Sequence, residues 1–113
     1  IMNEKRADRL SSIAQKAISD IIQYKVKSDK IGFVTVTAAK VTRDLSYCYV
    51  YVSILNDKNH EKFEALNKIK GFVRTELGHE VKLRKVPEIV FKLDESIENY
   101  RHIEELLEES KEK

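Results

Sequence analysis

Lys68, Lys70 and Arg74 bracket a glycine, Gly71, and Lys82, Arg84 and Lys85 follow soon after in the chain. Cations at that density can neutralise phosphates, and the counterions then released supply most of the non-specific affinity of proteins for nucleic acid. A glycine among them lets the backbone come close to a sugar-phosphate chain, and contacts of this kind orient a protein on RNA without reading its sequence. Arg6, Arg9, Lys40 and Arg43 are further candidates of the same type. The competing reading is solubilising charge around a helix–helix joint, which needs no ligand.

Other chemistries find less support. His60, His79 and His102 are far apart, no HxH or HExxH spacing occurs, and Cys48 is the only cysteine, so neither a metal site nor thiol chemistry is expected. Asp44 and Asp57 stand in turn-like surroundings, where hydrogen bonding to backbone explains them without acid–base work. A ribonuclease would need a divalent-metal carboxylate cluster that these residues and the scattered glutamates do not assemble. No phosphate-binding loop or dinucleotide fingerprint is present, and neither an enzyme nor a cofactor is expected. Tyr47, Tyr49 and Tyr51 would share one face of a strand and could stack bases, but tyrosines also pair across a sheet with rings packed and hydroxyls in water, and that reading is preferred here.

Charge divides the 113-residue chain. Residues 1–93 carry 18 Lys or Arg against 11 Asp or Glu, a net of +7, whereas residues 94–113 carry 3 against 8, a net of −5. A basic body suits a polyanionic partner. The first residues, Ile1 to Arg9, are charged, and no run approaches the roughly 20 apolar residues needed to span a bilayer, so a soluble, non-exported protein without a membrane partner is expected; a monomer is expected as well. With one cysteine no internal disulfide can form, which favours the reducing cytoplasm.

The elements that must position these residues follow from periodicity. Ala7, Leu10, Ala14, Ala17, Ile18, Ile21 and Ile22 recur at spacings of three and four, predicting a helix from Glu4 to Tyr24 with Asn3 as its cap. Between Gly32 and Leu55 the pattern becomes alternating, predicting two strands joined at Thr42-Arg43-Asp44-Leu45, with Cys48, Val50, Val52 and Ile54 on the core face. Asn56 to Asn59 reads as a loop ending in a helix cap, and Phe63, Leu66, Ile69, Val73 and Leu77 restore helical spacing. Gly71 in the middle predicts a kink, and Gly78 a C-terminal cap. Ile89, Phe91 and Leu93 predict a third strand, and Ser96 starts a narrow amphipathic stripe of Ile97, Tyr100, Ile103, Leu106 and Leu107. The expected class is α+β: one domain over residues 1–93, a three-stranded sheet covered by helices, followed by an acidic helix and tail over 94–113.

The order helix, strand, strand, helix, kinked helix, strand is similar to that of a type II KH domain, but the GXXG loop of such domains is missing. The motifs Arg6-Ala7-Asp8-Arg9-Leu10, Thr42-Arg43-Asp44-Leu45-Ser46-Tyr47, Leu55-Asn56-Asp57, Gly71-Phe72-Val73-Arg74, Leu77-Gly78, Leu83-Arg84 and Val86-Pro87-Glu88 stand in sequence order. Together they make the chain resemble the ribosome-binding factor A family, from about Arg6 to Leu107. The resemblance implies a KH-like fold in which a helix-kink-helix replaces the GXXG loop. It further implies binding to the small (30S) ribosomal subunit near the 5′-terminal helix of 16S rRNA, promotion of rRNA maturation and of growth in the cold, and no catalysis. Ribosome-assembly GTPases are a further candidate partner class. The family's kink reads Ala-x-Gly, and Ile69 stands here in the alanine position. The alternative function is a protein-interaction adaptor docking through the acidic carboxy-terminal helix.

Overall fold

The computed structural model describes residues 4–26 and 30–94. The predicted carboxy-terminal helix lies outside the described residues. Helix α1 (Glu4–Asp20) is followed by a π-helical turn (Ile21–Lys25), strands β1 (Val34–Val41) and β2 (Tyr47–Ile54), helices α2 (Glu61–Lys68) and α3 (Lys70–Val81), and strand β3 (Glu88–Leu93). The sheet order is β1-β2-β3, with β1 antiparallel and β3 parallel to the central β2. The α+β class and the element order match the expectation.

Apolar periodicity explains which surfaces meet. Ala14, Ala17 and Ile18 of α1, Cys48, Val50 and Val52 of β2, Leu66 of α2, Val73 and Leu77 of α3, and Ile89 and Phe91 of β3 form one buried cluster. Ile18, Leu66 and Leu77 have no exposed surface, and full burial of each contributes on the order of 2 kcal/mol. The π turn lets Ile21 and Ile22 both bury after α1 ends, its i−5 bond running from the Val26 N–H to the Ile21 carbonyl. In β1 the register slips at Thr37, between Val36 opposite Val52 and Ala38 opposite Tyr51. Thr37 Oγ1 donates to the Asp94 carboxylate at 2.6 Å, tying this bulge to the end of β3.

The hairpin forms where predicted. The Thr42 N–H donates to the Tyr47 carbonyl at 2.9 Å, and the Asp44 carboxylate accepts from the Ser46 N–H and the Thr42 hydroxyl at 3.0 and 2.8 Å. Leu45 takes a left-handed φ of 61°, which costs about 1 kcal/mol, and its side chain packs against the core, offsetting that cost.

Three local expectations are corrected. The helix cap belongs to Asp57, not to Asn59 at the end of the loop, because its carboxylate accepts from the Lys62 and Phe63 N–H groups at 2.8 and 3.0 Å, and His60 enters the helix at φ 58°. The kink lies at Ile69, ahead of Gly71. Ile69 leaves helical geometry (φ −102°, ψ 14°), its N–H reaching the Leu66 carbonyl at 3.1 Å while its side chain packs on the core. A redirection there is what lets Leu66 of one helix and Val73 and Leu77 of the next all reach the same core. Gly78 does not end α3. The helix continues to Val81, and Lys82 takes the left-handed cap position at φ 52° with its N–H on the Gly78 carbonyl. Gly78 is needed for a different reason: a Cβ there would lie 2.8 Å from Val86 Cγ2.

Candidate nucleic-acid interface

Every cation predicted from the sequence is exposed, as is Gly71, but the structure groups them differently from the sequence. The segment leaving α3 runs through the exposed Lys82 and Arg84 and brings Lys85 to the hairpin end of the sheet, where the Glu88 N–H donates to the Ser46 carbonyl at 2.9 Å. Lys85 stands close enough to Asp44 to help hold its carboxyl down. The larger causes are the hydrogen bonds from Ser46 and Thr42, and together they lower it to about 2. Lys40 and Arg43 lie at that same end of the sheet. They line a shallow depression with Ala7 and Asp8 of α1, and the Val41 N–H donates to Ser11 Oγ at 2.8 Å. Arg6 and Arg9 extend the exposed cations along α1, Arg6 with an interaction of its own. Two stretches of sequence about forty residues apart thus converge on one end of the sheet.

The kink carries a second group. Lys68 ends α2 and Lys70 begins α3, on either side of Ile69, and Gly71 stands in the first turn of α3 with open space where a Cβ would be. No left-handed φ requires the glycine. Its absent side chain instead leaves bare backbone at the surface. Arg74 differs from the other cations, since its Nε and Nη2 both donate to the Val86 carbonyl at 3.3 and 3.0 Å. This guanidinium pins the segment before β3 onto α3, one turn from the Gly78–Val86 approach, so its first role is architectural.

Lys92 was missed in the sequence. Its Nζ lies 4.9 Å from the centroid of the Tyr49 ring, and Tyr47 and Tyr49 stack with centroids 6.2 Å apart. The strand alternation of the tyrosines was legible, but the parallel register that brings β3 beside them was not. Cys48 is fully buried on the opposite face, and burial pushes its thiol up to about 11, leaving it protonated and unreactive near neutrality. Among the described residues, no group of three or more His, Cys, Asp or Glu side chains could hold a metal ion, and no helix is long and apolar enough to cross a membrane.

The surface so built can bind an extended polyanion along the cations at the hairpin end, with a second contact at the kink. Comparison with known proteins gives it a context. The sequence pattern of ribosome-binding factor A matches residues 6–107. A ribosome-binding factor A of Natranaerobius thermophilus is 47% identical over 110 residues, covering 96% of this chain and 84% of that one. A solution structure of the Thermotoga maritima homologue superposes with a TM-score of 0.65 at 32% identity, over 81% of this chain and 90% of that one. A homology model of Thermus thermophilus ribosome-binding factor A, as fitted into an electron cryo-microscopy map of its 30S complex, shares the fold with a TM-score of 0.67 at 22% identity, over 77% of this chain and 93% of that one.

Proposed function

The chain belongs to the ribosome-binding factor A family, and from that premise we propose that it binds the small ribosomal subunit through 16S rRNA and promotes rRNA maturation near the 5′-terminal helix, in the cytoplasm, without catalysing a reaction. The observation that carries this reading is the convergence of Lys40 and Arg43 with Lys85 at the hairpin end of the sheet. Cations so gathered neutralise successive phosphates of one strand, whereas the same charges scattered over the surface would each act alone. Binding reshapes an RNA site by occupying it, which requires no catalytic group. Release by assembly GTPases and a demand for the protein in cold growth belong to the same reading.

The test is co-sedimentation with small subunits, large subunits and a bare rRNA fragment over a salt series. Wild-type protein is expected to pellet with small subunits alone, with affinity falling as salt rises. The triple variant Lys70→Glu, Arg84→Glu, Lys85→Glu should stay in the supernatant while keeping the wild-type melting profile. Arg74 is left intact because its guanidinium holds Val86. Equal pelleting of both proteins with every particle would overturn the reading.

A further inference from the structure

The sheet buries one face and presents the other to solvent. On that open face Tyr47 is 42% exposed and stacks on Tyr49 at an interplanar angle of 27°, with the Lys92 ammonium over the Tyr49 ring. The strand register places Lys40 opposite Tyr49 on one side and Glu88 opposite Tyr47 on the other. Tyr47 directly follows the hairpin turn, so its ring stands where the open face meets the cations near Asp44.

We infer that Tyr47, backed by Tyr49, is a stacking platform for one unpaired nucleobase of the RNA whose phosphates run along Lys40, Arg43 and Lys85. The inference rests on the ribosomal reading above and adds to it a specific contact to a base. Three observations carry it. An aromatic ring held by a second ring behind it is fixed in orientation before a ligand arrives, which lowers the entropy lost on stacking. The ammonium over Tyr49 and the lysine opposite it make the surroundings of the platform cationic, favouring a polyanion over a neutral partner. Glu88 beside Tyr47 repels a phosphate at that one position and can accept from an exocyclic base amine, so the ring meets a base and the backbone passes over the neighbouring cations.

The 113-residue chain has five tyrosines and no tryptophan, so its intrinsic emission reports on tyrosines alone. Short unpaired oligoadenylate is expected to quench that emission. Labelled oligoadenylate should bind Tyr47→Leu about five- to 150-fold more weakly than wild type, the range of a single lost stack. Tyr47→Phe should bind within about twofold of wild type. Three results would overturn the platform: equal affinity of Tyr47→Leu and wild type, equal binding of a duplex of the same sequence, or a dimer of the protein that Tyr47→Leu abolishes. Quenching that appears only after Ile103→Glu and Leu106→Glu would also overturn it, assigning the face to the chain's own acidic segment. Wild-type pelleting with small subunits is measured alongside. If pelleting persists while the platform fails, the family reading stands without it, and if pelleting fails too, both fall.

Discussion

Asp44 contributes to the hairpin through charge as well as shape. Its carboxylate accepts hydrogen bonds from the Ser46 N–H and the Thr42 hydroxyl, which hold it well below its ordinary value of 3.8, at about 2. A carboxyl lowered on folding adds stability above its unfolded value, and that stability is lost as pH falls through the folded one. Wild-type protein should therefore lose thermal stability between about pH 4 and pH 2 more steeply than Asp44→Asn, measured by circular dichroism melts across that range. Parallel slopes in the two proteins would mean that the carboxylate is not held in solution as it is here. At this scale the sequence was legible for Asp44, because a short side chain bonding its own turn is a local event. It misled for Asn59, since the cap is supplied by Asp57 from farther back in the loop.

Helix α3 holds two glycines whose surroundings differ. Gly71 stands in open space, so Gly71→Ala should stabilise the protein by about 0.5–1 kcal/mol through helix propensity. If RNA backbone approaches there, the same change should weaken small-subunit binding severalfold, a gain in melting temperature coupled to a loss in pelleting. Gly78→Ala places a methyl group 2.8 Å from Val86 Cγ2, and since valine is stiff and the segment is pinned by Arg74, it should cost about 1–3 kcal/mol in urea unfolding. A neutral Gly78→Ala would mean that the segment before β3 shifts freely. Helical spacing placed Gly71 within the helix and Gly78 at its end, whereas both lie inside α3. Which of them is packed depends on Val86, a residue distant in sequence, and no local pattern carries that information.

For the molecule as a whole, the described core is one cluster shared by both layers, with Cys48 fully buried in it on the middle strand. Its thiol is reached only when the sheet and helices part, so modification by a thiol reagent should follow global unfolding and fall steeply with added stability, as with Gly71→Ala. Fast labelling of the native protein would indicate local opening of β2. Length, the switch from helical to alternating periodicity and back, and the order of elements were settled by the sequence, because each depends on side-chain spacing along a few turns or one strand. The tertiary structure alone decided that Lys85 stands beside the hairpin turn, that Lys92 lies over Tyr49, that Arg74 serves Val86, and that the chain bends at Ile69. Each of these turns on the parallel pairing of β3 with β2 or on how two helices share one core. Those are matches between distant segments, fixed by packing the whole chain at once.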